Sequence, residues 1–271
     1  MCKKSILNVV LSVSLTMVLF PSVSNAAKEY SFGIVPQASG SKLAKLWSPI
    51  LKYLEENTGV DLRFATTRNI NTFEKRLDTG KYDIVYMNPY HYTQSHEKQG
   101  YNAFAKAKKK RLKGIMVVLK DSPYRSLNDL ENSELAFPSH AFAADLVPRA
   151  VLTKNSLSFD PKFVSSHDSV YRNIARGRYP AGGGVMRTFN NTSPEYKEKL
   201  RVLWKSDGYT PHAFAAHPRV PQDIVDKLQK ALLEMEKDPT GKALLKKIRF
   251  KGIEKGVDKE WDDVRALNIQ S

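Results

Sequence analysis

The side chains with the widest chemical range are six histidines: His91, His96, His140, His167, His212 and His217. An imidazole can ligate a metal, move a proton or donate to an oxyanion. Metal ligation from one helix asks for close spacing, and the chain has no His-x-x-x-His and no Glu-x-x-His. A site drawn from His91, His140, His167 and His212 would have to be assembled by tertiary structure alone, so no metal and no cofactor is expected. Ser166-His167-Asp168 holds the residue types of a hydrolytic triad. Neighbours on one turn cannot point at each other as a triad requires. There is no Gly-x-Ser-x-Gly elbow and no distinct carboxylate pair, so the chain does not read as an enzyme. Gly182-Gly183-Gly184 lacks a following Gly-Lys-Ser/Thr and is no nucleotide loop.

Binding chemistry remains, and it is densest between Gly80 and Tyr92. Tyr82 to Met87 is β-branched and aromatic, a compact strand buried on both faces. Asn88-Pro89 breaks it, with Asn as helix cap and Pro at the first helical position. Ligands of open α/β sheets bind where strand carboxyl ends feed helix N-termini. Met87, Asn88, Tyr90 and His91 occupy that end. An ordinary strand–helix joint, its tyrosines half in the core, is the other reading of the same residues.

These residues need elements to position them. Tyr30 to Val35 reads as a strand, and Pro36 to Ser41 as a polar loop containing Gln37. Leu43, Leu46, Trp47, Ile50, Leu51 and Leu54 recur at helical spacing; Pro49 either kinks that helix or starts its main segment. Strands follow at 61–65, 103–107 and 114–120, then at 134–137, 163–164, 179–186, 200–204 and 212–217. Helices fall between them, including 143–154, one capped by Ser166, and one from Val220 carrying Ile224, Leu228, Leu232 and Met235. Glycines at 182–184 inside a strand signal a bulge or a close backbone approach. Strands and helices alternate through both halves, so the class is α/β.

The chain opens with a basic start, an apolar run from Ile6 to Phe20, and small residues at Ser24 and Ala26. That is the pattern of a secretory signal peptide, 1–26, cleaved near Ala26; a membrane anchor is the rival reading, but the run is short for one. Cys2, the one cysteine, leaves with it, so no disulfide or thiolate site is expected, and a cysteine-free exported chain suggests the periplasm. The formal charge of +15 then falls to about +13. In an exported protein this excess points to anionic solutes or surfaces rather than nucleic acid. The densest run, Lys106 to Lys113, has no aromatic interleaving and reads as a solvated loop.

Taken in order, the motifs resemble the periplasmic binding proteins of phosphate, phosphite and phosphonate importers. The landmarks are Phe32-Gly-Ile-Val-Pro36, Trp47-Ser-Pro49, Leu54-Glu-Glu-Asn-Thr-Gly59 and Gly80-Lys-Tyr-Asp-Ile-Val85, then Leu127-Asn-Asp-Leu130 and Ala136-Phe137. Leu146-Val-Pro-Arg149, Ser166-His-Asp168, Val202-Leu-Trp-Lys-Ser206, Val220-Pro221 and Asp238-Pro-Thr-Gly241 complete them. The resemblance implies a two-lobed, type II-like fold with two hinge crossovers and an interlobe ligand cleft. Lobe one would be 28–118 plus 208–271 and lobe two 119–207, with crossovers near Lys120 and Asp207. It implies a monomer that clamps one small ligand and presents its closed form to an inner-membrane ABC permease. A membrane kinase or cyclase sensor is the alternative partner.

The resemblance also places the ligand site and shows where this chain departs from it. Relatives that bind phosphonates use a Ser-Thr-Ser-Gly loop before the Leu-Val-Pro helix; here that loop reads Ala141-Phe142-Ala143-Ala144, after Ser139-His140. A tyrosine position becomes Arg68 and another becomes Met87. Two acidic positions that receive an amine fall near Arg187 and His212. The family's histidine is kept as His167, followed by Asp168. The expected ligand is thus a small anion without an ammonium group, gripped by Arg68, Arg187, His140 and His167, with Gln37, Asn88, Tyr90, His91, Phe142 and His212 around it.

Overall fold

The computed structural model describes residues 28–269; the export segment read at 1–26 lies outside the described residues. β1 (Tyr30–Ile34), α1 (Gly40–Thr58), β2 (Leu62–Ala65), α2 (Ile70–Asp78), β3 (Ile84–Met87), α3 (Pro89–Gln99) and β4 (Asn102–Ala107) alternate first. β5 (Ile115–Leu119), β6 (Ser133–Pro138), a π-helical turn at Phe142–Leu146, α4 (Val147–Lys154), β7 (Phe159–Val164) and α5 (His167–Ala175) follow. Then come β8 (Ala181–Gly184), α6 (Met186–Asn190), α7 (Pro194–Lys197) and β9 (Leu200–Lys205). β10 (Ala213–Ala216), α8 (Gln222–Glu234), α9 (Pro239–Lys247), β11 (Ile253–Lys255) and α10 (Asp262–Arg265) complete the described chain.

The strands form two sheets. The first has the order β11-β4-β10-β3-β1-β2 and the second β7-β6-β8-β5-β9. β1 runs parallel to β2 and β3, so the carboxyl ends of all three lie on one edge. β6 runs parallel to β7 and β8, which gathers their carboxyl ends likewise. β1, β3 and β10 are buried along their whole length, as apolar runs covered by helices on both faces should be. α1 buries Leu43, Trp47, Ile50, Leu51 and Leu54 on the expected stripe and continues through Pro49, beginning instead at the Ser39 cap. β11, three residues long, is too short to show alternation in the sequence.

The first crossover lies earlier than the sequence suggested. β5 pairs with β8 and β9, so it belongs to the second sheet, and the chain crosses over 108–114 rather than near Lys120. The return runs over 206–212 and includes Asp207. The two crossovers pair antiparallel: Leu112 and Tyr209 exchange backbone hydrogen bonds of 2.8 and 2.9 Å. Ser206 and Gly114 add two more at 2.9 Å, one of them through the Ser206 hydroxyl.

Lys106–Lys113 is a solvated loop only in part: Lys109, Arg111 and Lys113 are exposed, but several cations of the run are held. Lys106, near the end of β4, is buried and reaches Glu254 at 2.6 Å and Glu260 at 3.1 Å. Lys108 reaches Glu236 at 2.5 Å, and Arg111 reaches Asp263 at 2.8 Å. The carboxylates all come from the C-terminal segment, far along the chain, so local composition could not reveal them.

The three glycines of β8 answer to close approach. A Cβ on Gly183 would fall on the Ala144 carbonyl oxygen, and one on Gly184 on the Tyr171 hydroxyl. The strand thus lets the 141–144 turn and α5 settle against the sheet. Gly183→Val is expected to lower stability by about 3 kcal/mol, from overpacking against backbone. Gly177→Asn, at an open left-handed position, should stay within about 0.5 kcal/mol of wild type. Urea unfolding midpoints read both.

Candidate functional site

The carboxyl edges of the two parallel strand sets, with the crossovers between them, bring together residues that are distant in sequence. From the first sheet come Gln37 after β1, Glu74 on α2, His91 on α3 and His212 before β10. From the second come His140 after β6, His167 at the start of α5 and Arg187 on α6. Lys110 stands in the first crossover.

His212 is buried and its ring stacks on Tyr86, with centroids 5.2 Å apart and planes at 20°. Burial, reinforced by the charges of Lys110 and His91, pushes its pKa down to about 3. The ring is therefore neutral, and its Nε2 accepts from the Gln37 side-chain amide at 2.7 Å. His167 is also held below its ordinary value, by burial and then by Arg187, with Asp168 opposing. Its Nδ1 lies 3.4 Å from the Thr188 hydroxyl, next to Arg187. Burial, and after it Arg187, lowers the Lys110 ammonium too. Neither Lys110 nor Arg187 has a carboxylate partner among the described residues, although the nearby cations Lys106, Lys108 and Arg111 each do.

A second group sits beside the first. His91 Nε2 lies 2.9 Å from Glu74 Oε1, and His140 Nδ1 approaches the same oxygen at 3.8 Å. Burial would raise the Glu74 carboxyl, but the hydrogen bond and charge of His91, with His140 and Lys98 behind them, outweigh it and hold the group below its usual range. An ionised Glu74 can only accept, so His91 Nε2 carries the proton. His91 Nδ1 is left buried without a hydrogen-bond partner among the described residues. His140 has a left-handed backbone, φ 57°, and its N–H donates to Asp145 Oδ2 at 2.9 Å. Asp145, 1 % exposed, also takes the Arg149 guanidinium at 2.5 Å.

The expected site residues divide accordingly. Gln37, His91, His140, His167, Arg187 and His212 converge on the facing edges. Asp168 is exposed beside His167 and acts through its charge. Met87 does not join them: it is wholly buried in the main core, opposite Ala213 on β10, because β3 keeps both faces covered to its last residue. Asn88 is buried as the cap of α3, its Oδ1 accepting from His91 N at 2.8 Å, which is the plainer of the two readings of that stretch. Tyr90 is half-buried against the same core. Phe142 is buried edge-on to Tyr209 of the second crossover, centroids 6.2 Å apart, so it braces the joint. Ala143 is half-buried, with its carbonyl against Gly114. Arg68, in the loop between β2 and α2, and Ser139 are exposed, as Arg187 is, and none of the three makes a side-chain hydrogen bond among the described residues.

The sequence reading missed Lys110, Glu74 and Asp145. Lys110 was concealed in a run of like charges, and Glu74 in the polar face of α2. Asp145 alone carried a signal, as a carboxylate inside an otherwise apolar Phe142–Leu146 turn. The open surface recesses, at Leu119–Ser122 with Glu198 and Lys199 and along Phe104, Pro218 and Val257, contain none of the converging residues.

Comparison with known proteins agrees with this geometry. Residues 32–261 match the model of a family described as ABC transporter, phosphonate, periplasmic substrate-binding protein. The phosphonates-binding periplasmic protein of Escherichia coli K12 is 22 % identical over 94 % of this chain and 81 % of its own length. The phosphate-import protein PhnD of Mycolicibacterium smegmatis is 23 % identical over 72 % of this chain and 68 % of its own. PhnD1 of Prochlorococcus marinus, solved with methylphosphonate, superposes with a TM-score of 0.74 at 19 % identity, covering 89 % of this chain and 97 % of that one. The two sheets and paired crossovers are therefore those of a two-lobed periplasmic binding protein.

Two outcomes test the site's architecture. Asp145→Ala strands the Arg149 guanidinium and the His140 amide, and is expected to cost about 3 kcal/mol in urea unfolding. Glu74 has a depressed folded pKa, so its contribution is full above pH 4.5, its ordinary value, and is lost as pH falls through the folded value. Glu74→Gln should therefore be about 1 kcal/mol less stable than wild type at pH 7, with the gap closing on acidification below that value.

Proposed function

The chain belongs to the family of periplasmic substrate-binding proteins of ABC phosphonate transporters, and from that premise we propose that it captures a small anionic ligand between its lobes in the periplasm and delivers it to an ABC importer. The observation that carries this reading is the pair Lys110 and Arg187. Two cations close enough for one to depress the other, neither with a carboxylate partner among the described residues, lower their energy when an anion enters. The neutral rings of His167 and His212 add hydrogen-bonding groups without adding like charge. Division of the chain into 28–107 with 213–269 and 115–205 supplies two bodies that can close about the paired crossovers.

The ligand carries no ammonium group. Lys110 and Arg187 would repel one, and Glu74 is already engaged by His91 and His140. Family members are solute-binding transport proteins rather than enzymes, and nothing in this site calls for a chemical step.

A thermal-shift screen of the mature protein against phosphate, methylphosphonate, sulfate, short carboxylates, divalent cations and neutral solutes tests this. An anion at 100 times its Kd should add about 2.7 kcal/mol of stability. Lys110→Ala and Arg187→Ala should each weaken that anion about 10- to 100-fold, the worth of one hydrogen bond to a charged group. Methylphosphonate should bind more tightly than 2-aminoethylphosphonate. Silence from every anion with a response to a cation or neutral solute would overturn the reading.

A further inference from the structure

Five cations stand within six residues where β4 passes into the first crossover; Lys109 is exposed, and the other four are treated differently. Lys106 is held by Glu254 and Glu260, Lys108 by Glu236, and Arg111 by Asp263. Lys110 has no carboxylate among the described residues. Its Nζ instead stands 4.8 Å from the centroid of the Phe250 ring. An aromatic face attracts an ammonium through its quadrupole but carries no charge, so it holds a cation without neutralising it.

The ring is itself firmly placed. Arg249, with φ 60°, turns the chain at the end of α9, and Phe250 N–H donates to the Leu245 carbonyl at 2.9 Å. That is the closing hydrogen bond of a Schellman motif, with Phe250 in the position that makes its apolar contact. Phe250 is 8 % exposed, and its ring packs against Tyr86 at 6.0 Å, which in turn stacks on His212. An aromatic wall thus runs from the ammonium of Lys110 to the imidazole that Gln37 engages. The charge that bears on Lys110 from another element is Arg187 on α6, and Lys110 in turn bears on His212 ahead of β10; neither cation has an ion-pair partner among the described residues.

We propose that Phe250 is a positioning residue for the anion site: its ring face holds the Lys110 ammonium at the cleft as an uncompensated cation reserved for the ligand. This rests on the reading of Lys110 as a ligand contact. A carboxylate at Phe250's place would hold the lysine equally well and compete with every incoming anion. An aliphatic side chain would fill the same volume and leave the ammonium free to swing to solvent.

The test separates the ring face from the capping role, since leucine also serves as the apolar residue of a Schellman motif. Phe250→Leu removes the π face, and Phe250→Tyr keeps it. In protein carrying carbon-13-labelled lysine, with Lys110→Arg to assign the signal, Phe250→Leu should move the Lys110 titration to higher pH without ligand, as the freed ammonium leaves the burial and the Arg187 charge that lower it, and Phe250→Tyr should restore it. Affinities for inorganic phosphate and methylphosphonate, by calorimetry, should fall about ten-fold in Phe250→Leu and stay within about two-fold in Phe250→Tyr. Phe250→Met substitutes if the leucine variant does not fold. An unchanged titration in Phe250→Leu, or equal affinity losses in the leucine and tyrosine variants, overturns the role of the ring. A wild type that binds neither anion overturns the anion site itself, and with it this role, whatever the titration does.

Discussion

The backbone exchange between Leu112 and Tyr209 ties the two crossovers into one antiparallel ribbon, and most of what the molecule can do is arranged around it. Arg111 reinforces the ribbon by donating to the Gly208 carbonyl, the Thr210 hydroxyl and the Asp263 carboxylate, so the return segment and the C-terminal helix are fastened to the outgoing one. Lys110 precedes this clamp and His212 follows it, which sets both at the joint whatever the lobes do. Phe142 reaches Tyr209 from the second lobe and Trp261 donates to the Pro211 carbonyl from the first, so each body grips the ribbon by an aromatic side chain. A paired crossover of this kind concentrates bending in few residues while keeping the ligand contacts beside the axis in register.

Charge is distributed around that joint with a clear asymmetry. The chain has a large cationic excess, yet beside the cleft its cations are mostly neutralised: Lys106, Lys108, Arg111 and Arg149 each have a carboxylate, and Glu74 is engaged by His91. Lys110 and Arg187 have none among the described residues, and the two imidazoles nearest them, His167 and His212, are kept from adding charge by burial and by these same cations. A site with two strong cations and two neutral donors or acceptors has attraction for an anion without the self-repulsion that four cations would store.

The 139–144 turn is satisfied from within the chain. Its His140 amide is taken by Asp145, a carboxylate from the chain itself, rather than left for a ligand. The imidazole of His140 is turned toward Glu74 of the other lobe. Side chains of the two lobes thereby meet across the cleft.

Much of this was legible before any coordinates. The Asn88-Pro89 cap, the α1 stripe from Leu43 to Leu54 and the glycines of β8 follow from local rules, because caps, periodicity and close approach act between residues a few positions apart or leave a mark in residue type. Arg187, His167 and His212 were reached through resemblance to a family. Lys110 could not be read out of a run of like charges, since what distinguishes it is the absence of a carboxylate and the presence of Phe250, 140 positions away. Met87 failed in the opposite sense: resemblance put it at the ligand site, but β10 seals it in the core. Sequence alone determined the α/β class and most of the elements. Tertiary structure decided which cations are neutralised and which are left for a ligand, because ion pairing and desolvation depend on distances in space that no local pattern encodes.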